Sequence, residues 1–441
     1  MDNNITTLTT DILSAITDID PLQKKGKVVE AYGTTIKVTG IAARIGQQCL
    51  ITDKYCTHQV YADVVGITDD KAILLPLNHI GGIAQDSEVI VIKETTTISF
   101  SKKMIGKVLD GLGNPINGAL TDNNHKEIPI YCDAPNPLKR TPITQPLRTG
   151  IRAIDALLPL GVGQRTGIFA PAGAGKSTLL SMLARHTRSD IIIIALIGER
   201  GREVREFIEH TLTKESLSRS ILIVSTSDRP AMERLRAAYT ATAIAENFRS
   251  QGYNVLFLMD SVTRFARALR EIGLSIGEPP VRRGYPPSVF AELPKLFERT
   301  GNDDHGSISA FYTVLMEDEQ TTDPIAEEVR SLLDGHIVLT RKLAEENHYP
   351  AIDVLKSTSR IQNLITDTEH QELIKKFKSM LSKYYEIEFL IHVGEYEEGS
   401  DSVADEAIRK YQKMKDYLRQ NLNTKYEFAQ LYSLFEDIVN G

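Results

Sequence analysis

Thr166-Gly-Ile-Phe-Ala-Pro-Ala-Gly-Ala-Gly-Lys-Ser-Thr178 decides the fold. An apolar run, a turn of small residues and then the helix-like TLLSMLAR make a strand, a loop and a helix, the setting in which G-x-x-x-x-G-K-[ST] binds phosphate. Ala170 stands where that pattern has its first glycine. Gly173 and Gly175, on either side of Ala174, let backbone N–H groups close around phosphate oxygens, and the helix N-terminus adds positive potential. Lys176 is placed to bridge the β- and γ-phosphates, Ser177 to ligate Mg²⁺, and Thr178 completes the loop. A glycine-rich turn that only opened a helix would not require Lys-Ser at those two positions.

Downstream, the runs IIIIALI, ILIVST, VLFLMD, SISAFYTVL and HIVLT alternate with helical segments such as AMERLRAAYTATAIAENFRSQ. That alternation predicts an α/β module, a parallel sheet covered by helices on both faces. Asp260 closes the run Val255–Met259 and so falls at a strand tip, where open α/β sheets bind ligands. Paired with the loop above, it reads as the Mg²⁺-side carboxylate. Glu199, after IIIIALI, is placed to orient an attacking water, with Arg200 balancing developing charge. Taken singly, Gly198-Glu-Arg-Gly-Arg-Glu203 is also a charged helix start.

Upstream, Gly26 to about Thr95 reads as short β-branched runs punctuated by Gly and Asp, a small all-β sandwich or barrel, of which the barrel is taken. Before it, Ile5, Leu8, Ile12, Ile16 and Ile19 fall at steps of three and four on one face of a short helix, whose stripe docks on its own domain or on a partner. Asp133–Thr149 carries four prolines and is expected to be an extended connector inside the central module. After Asp367 the strands stop, and helices are expected over about 367–392, 402–421 and 424–440. The division is therefore 1–21 amphipathic helix, 22–95 β-barrel, 96–365 nucleotide-binding module and 366–441 helical domain.

With 441 residues the chain is long enough for several cores, and 41% hydrophobic with 25% charged residues matches ordinary soluble proteins. No run of about twenty apolar residues appears, and the start carries no secretory signal. A net charge of −7 disfavours a nucleic-acid binder working by bulk positive charge. Three cysteines, Cys49, Cys56 and Cys132, suit a reducing compartment, and Cys56 with His58 falls short of a zinc ligand set.

The strings LIGERGREVREF, MDSVTRFARALRE, YPPSVFAELPKLFERTG, AFYTVL, VRSLLDGHIVLTRKLAEENHYPAIDVL, STSR and GEYEEGSD resemble those of the export ATPases of type III secretion systems. These are cousins of the flagellar export ATPase and of the catalytic subunit of rotary ATP synthases. The resemblance covers Gly26 to about Glu406 and implies a RecA-like ATPase module that hydrolyses Mg-ATP. It implies that Lys176 and Ser177 bind phosphate and Mg²⁺, that Glu199 is the base, and that Arg200 and Arg264 lie near the γ-phosphate. Arg360 then matches an arginine finger reaching a neighbouring subunit, and Tyr349 the aromatic packed on adenine. On residue chemistry alone these last three residues, Arg264, Arg360 and Tyr349, read as a helix ion pair, a loop cap and a core aromatic.

By the same resemblance the chain forms a homohexamer at the cytoplasmic face of the inner membrane, peripheral to an export gate. It meets a stator-type regulator at its N-terminal helix, a central stalk protein, and chaperone-bound substrates at its C-terminal domain. No second adenine-packing aromatic is assigned in KDYLRQNLNTKY, and the acidic DELSEED lever of the rotary enzymes is missing. Among alternatives, the flagellar export ATPase stands nearest. A rotary synthase subunit and an RNA-translocating ring, which would need aromatic stacking platforms where only Tyr32, Tyr55 and Tyr61 occur before residue 95, stand further off.

Overall fold

A computed structural model describes residues 24–53, 58–116, 118, 125–317 and 323–441. The expected helix over residues 1–21 and Cys56 lie outside the described residues. The chain divides into two compact units, one up to Thr96 and one from Thr97 onward.

In the first unit six strands, β1 (Gly26–Tyr32), β2 (Thr35–Thr39), β3 (Gln48–Thr52), β4 (Gln59–Thr68), β5 (Lys71–Pro76) and β6 (Glu88–Lys93), close into a barrel in the order β1-β2-β5-β4-β3-β6. Alternate residues point inward, as the period of two demands, so that Ile36, Val38, Cys49, Ile51, Val60, Ala62 and Val64 fill the interior. Burial, and after it the Asp63 carboxylate, pushes the Cys49 thiol up to about 12, which makes it an inert core residue. Among the described residues no group of three or more His, Cys, Asp and Glu is arranged to hold a metal ion.

The second unit is built on an eight-stranded sheet. In chain order its strands are β7 (Val108–Asp110), β8 (Arg165–Pro171), β9 (Ile191–Ile197), β10 (Ser220–Ser225), β11 (Asn254–Asp260), β12 (Ser307–Met316), β13 (Gly335–Val338) and β14 (Thr358–Ser359). The spatial order is β14-β13-β8-β12-β11-β9-β10-β7, parallel throughout except for β14. Every residue of β9 is buried, as a central strand covered on both faces requires. Four helices matter for the site: α1 (Lys176–His186), α2 (Gly201–Glu206), α3 (Val262–Ser275) and α4 (Pro324–Leu332). The segment 133–149 holds only a single 3₁₀ turn, Pro137–Lys139, and the two-residue strand Pro146–Leu147.

Three helices complete this unit, α5 (Thr368–Val393), α6 (Ser402–Leu418) and α7 (Phe428–Asn440). Asp367 and Asp401 cap the first two, accepting from backbone N–H groups of the first turn, and Gly394 at φ +76° ends α5. Their Phe377, Tyr417 and Phe435 belong to the same continuous core as Leu180 and Ile194 of the sheet module. The third helix starts at Phe428 rather than near 424, because residues 419–427 are held as a loop by tertiary hydrogen bonds. Gln420 donates to the Gly150 carbonyl (2.8 Å), the His186 ring meets the Leu422 carbonyl (2.8 Å), and Arg185 donates to Asn423 (2.5 Å). Among the described residues no helix is long and apolar enough to cross a membrane.

Candidate active site

Strand β8 delivers a buried chain to Pro171, after which Gly173 (φ +82°) and Gly175 (φ +80°) turn the loop through left-handed conformations that favour glycine. Helix α1 then begins at Lys176, so the loop N–H groups and the helix N-terminus face one point. Gly175 has a second constraint. A Cβ there would lie 2.9 Å from Cε1 of Tyr349, so the half-buried Tyr349 ring packs directly on the phosphate loop.

The ends of β8, β11 and β9 bring the charged groups together, with β12 lying between β8 and β11. Lys176 Nζ lies 2.5 Å from Asp260 Oδ1 and 3.4 Å from Glu199 Oε1. Arg264, from the first turn of α3, pairs with Glu199 at 3.2 Å, its stem packed where a side chain on Gly198 would stand. Ser261 caps that helix and accepts from Arg264 N–H, which fixes the arginine's departure point. Glu199 and Asp260 are both buried. Burial, with the Asp260 carboxylate next, pushes the Glu199 carboxyl up to about 7, while Lys176 and Arg264 pull the other way. Burial also opposes the Lys176 ammonium, but Asp260 and Glu199 outweigh it and hold its pKa above the usual lysine value.

These residues fit Mg-ATP. A lysine already paired to two carboxylates can exchange them for phosphate oxygens without becoming an unpaired buried charge. Ser177, exposed at the start of α1, and the carboxylate of Asp260 are hard oxygen donors of the kind Mg²⁺ takes. Glu199, buried and raised, has the character of a proton acceptor working near neutrality. As a base it acts deprotonated, so turnover is expected to fall as pH drops through about 7 and to level off above it. A rate profile between pH 5.5 and 8.5 checks this, and a flat profile places the base elsewhere.

The structure leaves two expected residues out of this cluster. Arg200 caps α2 with its side chain in solvent, paired with Glu203 at 3.4 Å, so its expected place near the γ-phosphate rests on the resemblance alone. Arg360 follows β14 and donates its N–H to the Asp334 carbonyl, while its guanidinium donates to the Arg330 and Ser331 carbonyls at the end of α4. Asp334 in turn accepts from Arg165 at the start of β8. Arg360 therefore sits at the opposite end of the strand that feeds the phosphate loop, roughly 20 Å away at 3.3 Å per residue.

Two contributors escaped the sequence reading. Thr313 of β12 donates to Asp260 Oδ1 (2.7 Å), fixing the carboxylate that meets Lys176. Its signal was a threonine at the next-to-last buried position of a mostly apolar strand. Gln420 donates its backbone N–H to the Tyr349 carbonyl (2.8 Å), so the loop after α6 holds the aromatic in place. Nothing local marks that contact.

Residues 150–359 match the ATP synthase alpha/beta family nucleotide-binding domain, and residues 366–436 match the T3SS EscN ATPase C-terminal domain. A type 3 secretion system ATPase of Xanthomonas euvesicatoria is 50% identical over 418 residues, 95% of both chains. A flagellum-specific ATP synthase of Bacillus subtilis is 48% identical, covering 93% of this chain and 94% of that one. The assembled ATPase EscN of enteropathogenic E. coli superposes with a TM-score of 0.89 at 45% identity, over 94% of this chain and all of that one. EscN is also solved in complex with its central stalk EscO, at a TM-score of 0.87 and 44% identity over the same shares of the two chains.

Proposed function

The chain belongs to the type 3 secretion system ATPases, and on that premise we propose that the Lys176 cluster is a Mg-ATP site whose hydrolysis, in a ring of identical subunits, energises protein export. The observation that carries the reading is one lysine of a phosphate loop facing both a strand-tip Asp260 and a buried, raised Glu199. Gly173, Ala174, Gly175, Lys176, Ser177 and Thr178 cradle the phosphates, Ser177 and Asp260 hold Mg²⁺, and Tyr349 packs on adenine. The bound Mg²⁺ supplies charge neutralisation on the phosphate oxygens. Lys176 turns from its carboxylates to the phosphates. Glu199 orients a water and takes its proton as the water oxygen bonds to the γ-phosphorus and the bond to the β–γ bridging oxygen breaks. Arg264 holds Glu199, and the negative charge that develops is balanced by Lys176 and by Arg360 of a neighbouring subunit.

Replacing Tyr349 with alanine removes a stacking platform worth about 1–3 kcal/mol per base. The expected result is a KM for ATP raised roughly ten- to a hundredfold with kcat nearly unchanged, measured by steady-state phosphate release. A loss confined to kcat would remove Tyr349 from the adenine pocket.

The ring is read as a homohexamer at the cytoplasmic face of the inner membrane, beside the export gate. Its domains are read as 1–21, 22–95, 96–365 and 366–441. A stator-type protein binds the first, and a central stalk and chaperone–substrate complexes meet the ring, the latter at the fourth. Residues 366–441 carry ten Lys+Arg against fifteen Asp+Glu, which suits basic partner surfaces. Recovering the Glu199→Gln protein from cells tests the class. Stalk, stator and secretion chaperones are expected to co-purify, the stator being lost when residues 1–20 are deleted, whereas RNA or a proton-translocating rotor would overturn the reading. Flagellar components in the same recovery would favour the flagellar branch, whose B. subtilis member is nearly as similar.

A further inference from the structure

A cavity of about 510 Å³ lies between residues 340–356, a short helix and loop that follow β13, and the facing sides of α5 and α6. That volume is in the range of small-molecule sites. Lys176, Glu199 and Asp260 do not line it, so it is separate from the nucleotide site.

His348 lines this cavity and is only 2% exposed, yet among the described residues neither of its ring nitrogens has a hydrogen-bond partner. Buried polar groups are ordinarily satisfied, and a neutral imidazole carries one donor and one acceptor to be met. Its surroundings say what would meet them. The three lysines on the wall are each matched to an acid there, Lys415 to Glu346 (2.8 Å), Lys356 to Asp353 (3.5 Å) and Lys342 to Glu388 (3.8 Å). Beyond these pairs the Arg419 guanidinium, whose Nε has no hydrogen-bond partner among the described residues, acts on the imidazole. Burial first, then Arg419 and Lys415, outweigh Glu346 and Asp416 and push its pKa down to about 4, so the ring is a neutral donor. Leu343, Ile352 and Leu381 add apolar wall. At one side Tyr411 stacks on Tyr384 at 3.5 Å, and Tyr385 meets Tyr411 edge-on.

We propose that this cavity is a second ligand site, for a small organic anion with an aromatic body. The anionic group accepts from the His348 ring and the body lies against Tyr385, Tyr411 and the aliphatic wall. The site stands behind the Tyr349 loop, because His348 precedes that tyrosine directly in the chain.

The probe is 8-anilinonaphthalene-1-sulfonate, titrated into the full chain saturated with Mg-ADP so that the nucleotide site is filled. The expected result is a saturable fluorescence rise at one equivalent. His348→Phe, which removes the ring nitrogens, is expected to weaken it at least tenfold. His392→Trp is expected to do the same by adding bulk at an exposed position of the cavity wall, where the fold tolerates it. Histidine ring NMR adds a direct reading, since the His348 signals are expected to move with the titration. Absence of one-equivalent binding, or equal binding by wild type and His392→Trp, overturns the proposal. Should His348→Phe fail to fold, His392→Trp decides alone.

Discussion

Arg360→Ala is expected to bind Mg-ATP as the wild type does and to lose about 10³- to 10⁵-fold in turnover, the worth of arginine fingers in phosphate-loop enzymes. The geometry explains why the two effects separate. Arg360 is exposed, leans on the carbonyls of Arg330 and Ser331, and stands at the far end of β8 from the phosphate loop. It cannot reach the phosphates of its own chain, so its loss spares binding there. In the proposed role it acts across a ring boundary, which would make each site incomplete without a neighbour. A mixing experiment sharpens the prediction. Arg360→Ala supplied with a Glu199→Gln partner is expected to recover activity, because an Arg360-bearing subunit then faces an intact Glu199. Wild-type turnover by Arg360→Ala, or no recovery on mixing under conditions where the ring assembles, would remove the finger assignment.

Glu199→Gln is expected to lower turnover about 10²- to 10⁴-fold, the contribution of a placed general base. The substitution keeps size and removes the one group in the cluster raised into the neutral range. Binding is expected to hold or tighten, since a negative charge beside the γ-phosphate is gone while Lys176 and Asp260 remain. Fluorescent-nucleotide titration and single-turnover phosphate release read the two separately. The fall in rate below pH 7 should also vanish from whatever activity remains. Normal hydrolysis by this variant would falsify the assignment of Glu199 as base.

Most of the cluster was legible because its residues sit in local patterns that themselves carry the geometry. Lys176 and Ser177 follow a strand and a glycine turn, and Asp260 ends an apolar run. Those positions read directly as loop and strand tip. Arg200 was less well served, because adjacency in sequence to Glu199 says nothing about direction. At the start of a helix successive side chains diverge, and Arg200 turns to Glu203 in solvent. Thr313 and Gln420 went unseen for the complementary reason. Each acts on a residue far away in sequence, Asp260 and Tyr349, through contacts no local pattern encodes.

By itself the sequence determined the elements and their chemistry. Period-two runs made the barrel strands, buried apolar runs the sheet, and Asp caps the first two C-terminal helices. The phosphate loop carries the proposed nucleotide reading, because backbone conformation and helix polarity are local properties. Tertiary structure alone decided the order of the strands. By lying between β8 and β11, β12 sets the spacing that lets Lys176 span to Asp260 and supplies Thr313 to hold that carboxylate. The same packing gathers Lys176, Asp260 and Glu199 into one buried cluster, and burial, with Asp260, raises Glu199 toward neutrality. Neither strand order nor desolvation is a property of a segment, for both arise only when distant segments exclude water together.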